Sequence, residues 1–135
     1  MTNCTLLLGE QQAGREWESR VWFDAEAVSG VRYEIVRVSF GRRIELARRI
    51  REIGRRMEYL EAGNDERETL EATVLAAEID RAYLDWGLVT VEGLQIDGEA
   101  ATPEALVDRG PVELAMEILG RIKSECGMSE DERKN

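Results

Sequence analysis

Two apolar stripes with the helical period follow one another in the middle of this chain, and they restrict its architecture more than any other feature. Leu46, Ile50, Ile53, Met57 and Leu60 recur at intervals of four and three, which places all five on one side of a helix that begins near Arg42. The pattern stops at Ala62-Gly63, where glycine accepts the left-handed conformation that ends helices. Asp65 followed by Glu68 has the form of a capping box, and Ala72, Leu75, Ile79, Ala82 and Trp86 repeat the spacing. Helices joined by so short a connector must run antiparallel, so residues 41–86 are predicted to form a helical hairpin. Neither stripe is long enough for an extended coiled coil. The apolar face therefore needs the rest of the chain or another chain to cover it. Gly54 costs the first helix about 1 kcal/mol relative to alanine, and is expected to mark close packing.

Extended segments flank the hairpin. In Val31-Arg32-Tyr33-Glu34-Ile35-Val36-Arg37-Val38-Ser39-Phe40 the apolar positions Val31, Tyr33 and Ile35 switch parity to Val36, Val38 and Phe40, which predicts a bulge or a strand buried on both faces. Trp17, Val21 and Phe23, with Trp22 between, form a second β-prone stretch before Ser29-Gly30, and Thr5 to Leu8 a third. Trp17 and Trp22 fall on opposite parities, so one of them is expected to be exposed, where a tryptophan on an edge strand makes a credible partner contact. Beyond the hairpin, Leu88 to Glu99 is again extended, with Asp97-Gly98 as a tight turn and Leu94 and Ile96 expected to pack on the open end of the hairpin. Thr102-Pro103-Glu104 reads as a cap with proline at the first helical position, opening a short helix that stops at Gly110. Pro111 opens the last helix, whose apolar face is Leu114, Ala115, Ile118, Leu119 and Ile122; Ser129 with Glu132 would cap a final half-turn.

The fold class expected is therefore α+β: a small N-terminal antiparallel sheet, a helical hairpin, a short β-hairpin and C-terminal helices. One domain spans residues 1–135, with a strand-rich part at 1–40, the hairpin at 41–86, the turn and helices at 87–127, and a charged tail at 128–135. With 43% hydrophobic residues but only 6% aromatic ones, the core must rest on Leu, Ile, Val and Ala, as in packed helices. No uncharged apolar run, Thr5 to Leu8 included, is long enough to span a bilayer, and no basic region precedes Thr5. The expectation is a cytoplasmic protein without a membrane partner.

Charge narrows the partners. A net charge of −10 argues against nucleic acid, which is held by clustered Lys and Arg. Between Gly41 and Arg56, however, Arg42, Arg43, Arg48, Arg49, Arg51, Arg55 and Arg56 stand against Glu45 and Glu52, whereas from Met57 onward seven Lys/Arg face twenty Asp/Glu. The simplest expectation pairs these arginines within the fold with carboxylates such as Glu66, Glu68, Glu71 and Glu78. The alternative is that the basic helix meets an acidic partner or nucleic acid, with a protein partner favoured.

Catalytic groups are scarce. The chain has no histidine, the only side chain that titrates near neutrality without perturbation and the commonest metal ligand. Cys4 and Cys126 match no metal or redox spacing, and are expected to be reduced and incidental. Ser29, Ser39, Ser124 and Ser129 have no nucleophile-elbow context, and no phosphate-binding loop is present. Cys126 at a helix C-terminus would have its thiolate disfavoured by the helix dipole. Carboxylate pairs remain, Asp80 with Asp85 or Glu92 with Asp97 and Glu99. The latter segment lacks the alternating acidic positions of a calcium loop, and with 28 acidic residues such pairs arise by chance. No cofactor, metal or catalytic residue is assigned.

One resemblance bears on function. The run Trp86-Gly87-Leu88-Val89, Val91-Glu92-Gly93-Leu94-Gln95-Ile96-Asp97-Gly98-Glu99, Thr102-Pro103-Glu104-Ala105-Leu106, Gly110-Pro111-Val112-Glu113-Leu114, Glu117-Ile118 and the closing Gly127-Met128-Ser129-Glu130-Asp131-Glu132-Arg133-Lys134-Asn135 resembles small proteins encoded in the tail-morphogenesis region of long-tailed bacteriophages and prophages. Members with an assigned role are tail assembly chaperones, non-enzymatic proteins that hold the tape-measure protein and recruit tail-tube subunits. The resemblance implies a protein-binding role in the bacterial host cytoplasm with a phage tail polypeptide as partner, and self-association. The residue pattern agrees insofar as an amphipathic hairpin can supply an apolar groove. Its stripe, represented by Leu46, Ile50, Ile53, Met57, Leu75, Ile79 and Trp86, is the expected partner-binding surface. A structural connector or tail component, or a divalent-metal enzyme built on carboxylates, are the alternatives.

Overall fold

β-prone and helical segments alternate along the chain, and the computed structural model shows how they close on one another. It describes residues 14–61 and 66–127, without the side chains at 57, 59–61 and 68. The Thr5–Leu8 strand, the hairpin connector, Cys4 and the half-turn expected at Ser129 lie outside the described residues. The order is β1 (Arg20–Asp24), β2 (Arg32–Val36), α1 (Phe40–Glu61), α2 (Glu66–Gly87), β3 (Leu88–Glu92), β4 (Gln95–Ile96), β5 (Glu99–Ala100), α3 (Pro103–Arg109) and α4 (Val112–Glu125). Four helices and two small antiparallel sheets make this an α+β fold among the described residues.

The larger sheet has the order β1-β2-β3, antiparallel throughout. Its third strand is not an N-terminal one. Leu88 to Glu92 follows α2 without a loop and pairs with β2, so the hairpin is an insertion between neighbouring strands and the sheet is only partly N-terminal. Glu34 faces Thr90 but Ile35 faces Leu88, which leaves Val89 as an extra, bulged residue on β3. β2 itself keeps an unbroken register with β1, so Tyr33 and Ile35 lie on one face and Val36 on the other, and all three are buried: the parity switch marks a strand buried on both faces. The short hairpin expected after β3 is confined to β4 and β5, where Asp97 and Gly98 both have positive φ, the geometry of a two-residue type I′ turn. Ile96 is buried in the core and β4 lies against α3.

Local chemistry sets the helix ends. Ser39 caps α1, its Oγ accepting from Arg42 N at 3.2 Å. Thr102 caps α3, its Oγ1 accepting from Ala105 N at 3.1 Å, with Pro103 in the first turn. α4 supplies Leu114, Ile118 and Ile122, none of which retains exposed surface. Gly87 lets α2 meet α4, since a methyl group there would sit 2.8 Å from Ile122 Cδ1. Gly93, at positive φ, lies so close to the Gly30 carbonyl oxygen that no side chain fits.

α1 and α2 run antiparallel, as contacts of Glu45 with Trp86 and of Arg56 with Glu78 require. α1 packs extensively on α2 alone. Leu46, Tyr83, Leu84 and Trp86 enter the central core, whereas Ala72 and Leu75 are buried outside it, between the helices. The distal half of the hairpin thus stands away from the sheet as a two-helix arm. Gly54 does not mark close packing, because a methyl group added there meets nothing within 4 Å.

Candidate functional site

Six of the seven stripe residues have described side chains, and none of the six is an exposed docking position. Leu46, Leu75 and Trp86 are buried, Ile50, Ile53 and Ile79 are half-buried, and the side chain of Met57 lies outside the described set. The reason is geometric: the apolar stripes of two antiparallel helices are each other's best cover. Trp86 is a core residue at the hairpin base. Its Nε1 donates to Glu45 Oε1 at 3.3 Å, while Arg42 stands 5.3 Å from its ring centroid and 3.4 Å from the same carboxylate oxygen.

The exposed apolar residues are others. Phe40 (84% exposed) and Ile44 (40%) lie on the outer side of α1, Leu70 (67%) and Val74 (53%) one turn apart on α2, and Val112 and Met116 one turn apart on α4. The residue pattern places Phe40 in a strand, whereas β2 ends at Val36 and Phe40 opens α1; the other five fall outside the dominant stripe of their helices, and the spacing of Leu70 and Val74 is the signal that marks them. Trp17 is exposed as well, preceding β1 and stacked under Arg37 at 4.8 Å, while Trp22 is half-buried beneath Arg32 at 4.2 Å.

Beside the hairpin lies an open groove of about 400 Å³, lined by Leu46, Ala47 and Ile50 of α1, Tyr83 of α2 and Cys126 after α4, with Arg43 and Arg51 on its bank. No carboxylate lines it among the described residues. Arg43 Nη2 donates to the Cys126 carbonyl at 3.3 Å, which holds α1 against the end of α4. Burial pushes the Cys126 thiol up and Glu125 adds to this, with Arg43 opposing, so the groove offers no thiolate nucleophile near neutrality.

The arginines of α1 are only partly neutralised. Arg42 pairs with Glu45 at 3.4 Å and Arg56 with Glu78 at 3.7 Å. Arg48, Arg49, Arg51 and Arg55 form no ion pair among the described residues, nor do Glu66 and Glu71. Of the pairings expected from sequence only that with Glu78 forms; the side chain of Glu68 is not described. Antiparallel packing turns most of these arginines away from α2.

A polar cluster that the sequence did not announce joins α4 to the β1–β2 loop. Glu117 accepts from Ala27 N (2.8 Å), from Glu26 N (3.1 Å to each oxygen) and from Tyr33 Oη (2.8 Å). Arg121 Nε donates to Tyr33 Oη at 3.0 Å, and its guanidinium covers Phe23 at 4.2 Å. Burial opposes ionisation of Glu117, but the hydrogen bonds from Ala27, Tyr33 and Glu26 and the Arg121 charge outweigh it and hold its pKa below the usual carboxylate range. Tyr33 is pushed up to about 12, first by burial and then by Glu117. The concavity over this cluster, about 460 Å³, is flanked by Glu26, Glu125 and Gly120; Glu26 lies 3.4 Å from Arg121, and Glu125 lies 3.7 Å from Arg37 outside it.

Of the five carboxylates considered for metal chemistry, four lie beside cations, and Glu99 has no ion pair among the described residues. Asp80 accepts from Lys123 Nζ at 2.9 Å and Asp97 from Arg109 at 2.7 Å, Asp85 lies 3.4 Å from Arg81, and Glu92 lies 3.9 Å from Arg32. Arg81 also reaches Asp108 at 2.7 Å, and that hydrogen bond raises its pKa. Among the described residues no group of three or more metal-ligating side chains converges, and no helix is long and apolar enough to cross a membrane. Comparison with protein-family models, with curated proteins and with solved structures finds no match to the chain.

Proposed function

We propose that the protein is a non-enzymatic protein-binding or assembly factor, a tail assembly chaperone of a phage or prophage that acts on a phage tail polypeptide in the host cytoplasm and self-associates. The observation that carries the binding role is the hairpin itself. A two-helix arm projects from a well-packed body with Leu70 and Val74 exposed, and an apolar groove runs along its other helix. Exposed apolar positions one turn apart on a helix are the usual anchors of helix-mediated association. The tail-assembly reading rests in addition on the likeness of the segment from Trp86 to Asn135 to phage morphogenesis proteins. Co-expression with tail polypeptides, followed by sedimentation velocity of the purified complex, tests both levels. Self-association and capture of a tape-measure or tube polypeptide is the expected result, and a chain that stays monomeric and captures neither would refute the chaperone reading. A defined ring or stack in negative-stain images would point instead to a structural connector or tail component.

A further inference from the structure

The outer side of α1 combines features that specify a chemical class of partner. Phe40, Ile44, Ala47, Arg48, Arg51 and Arg55 follow one another at helical spacing and lie on one side of the helix. All six are exposed. The three arginines have no ion pair among the described residues; Arg51 lines the apolar groove, and Arg48 and Arg55 lie one turn before and one turn after it on the helix. Glu52 lies one turn from both Arg48 and Arg55, and Glu45 one turn before Arg48, but among the described residues neither carboxylate forms an ion pair with these arginines. In a protein of net charge −10, cations left unpaired beside an apolar trough form a surface complementary to a ligand that is both acidic and oily.

We infer that this face and groove dock an acidic amphipathic segment of another polypeptide, whose apolar side chains enter the trough over Ala47, Ile50 and Tyr83 while its carboxylates meet Arg48, Arg51 and Arg55. The stretch from Phe40 to Arg55 is about 22 Å long at 1.5 Å per residue, room for about four helical turns of a partner. An apolar floor is of no use to a nucleic acid backbone, and the protein's overall charge repels one. The inference deepens the protein-binding reading and rests on it.

The test is fluorescence anisotropy with the full chain and a synthetic amphipathic peptide of about 18 residues, leucine on one side and glutamate on the other, against the same peptide with lysine for glutamate. The acidic peptide is expected to bind, more weakly as salt rises, and the lysine peptide not to bind. Combined replacement Arg48→Gln, Arg51→Gln and Arg55→Gln is expected to weaken binding at least tenfold. Ala47→Glu, at an exposed position outside the core, is expected to do the same independently, so the test survives if one variant folds poorly. Equal binding of the lysine peptide, unchanged affinity in both variants, or equal competition by polyglutamate or single-stranded DNA would overturn the assignment. So would a tenfold gain in affinity on replacing Glu130, Asp131 and Glu132 by their amides, because the groove would then belong to the chain's own acidic end. Variants that lose the peptide yet still capture a partner on co-expression separate this site from the general binding function, which fails only if capture is absent throughout.

Discussion

Replacing Glu117 tests whether the polar cluster holds the sheet to α4. In Glu117→Ala the Tyr33 hydroxyl, on a side chain with no exposed surface, loses its acceptor, and the N–H groups of Glu26 and Ala27 lose theirs. A hydrogen bond to a charged group contributes about 1.5–3 kcal/mol when its loss strands a buried donor. The two loop amides can turn to water, so together they add only about 1 kcal/mol. The expected loss is therefore about 3 kcal/mol, a fall in Tm of roughly 10 °C for a domain of this size. Urea unfolding followed by circular dichroism measures it. Tyr33→Phe removes the same hydrogen bond from the other side, so the double variant should fall short of additivity by about 1 kcal/mol or more. The pH dependence carries an independent sign. Because the folded pKa of Glu117 is depressed, its ionisation contributes stability that is fully present above the unfolded carboxylate value of about 4.3 and is lost as pH falls through the folded value. The stability gap between the native chain and Glu117→Gln should thus narrow under acid. A Glu117→Ala cost below about 0.5 kcal/mol, or a gap that does not change with acidification, would refute the reasoning.

Further predictions concern backbone and ionisation. Gly54→Ala should raise stability by about 0.5–1 kcal/mol, since the methyl group enters open space, whereas Gly93→Ala should destabilise by more than about 2 kcal/mol, because its methyl group meets the Gly30 carbonyl at a positive φ; paired thermal melts check both. Thr102→Ala, which removes the α3 cap, should cost about 1 kcal/mol by urea titration. Ile122→Ala, at a position without exposed surface against Gly87, should cost about 2–5 kcal/mol. Ultraviolet titration should show one tyrosine ionising near pH 12, absent in Tyr33→Phe; because the folded pKa is raised to about 12, that contribution to stability is complete below about pH 10 and fades as pH climbs towards the folded value.

What the residue order determined alone is local and periodic. Stripes of period 3.6 set the helices and their antiparallel pairing, Asp97-Gly98 set a turn, Thr102-Pro103 set a helix start, and the parity switch at Ile35-Val36 marked a strand buried on both faces. Each depends on residues within a few positions of one another, where backbone sterics and side-chain spacing decide the outcome. The tertiary structure alone decided that β3 joins β2 across the inserted hairpin, that Gly87 rather than Gly54 marks a close approach, and that Leu46, Leu75 and Trp86 are covered from within. It also decided that Glu117 serves Tyr33 and the β1–β2 loop, from the far side of the sequence, and that Arg48, Arg51 and Arg55 have no carboxylate partners among the described residues. The physical reason is common to all of these: burial and charge pairing depend on which distant surfaces meet, and no periodicity along the chain records which partner a given face will find.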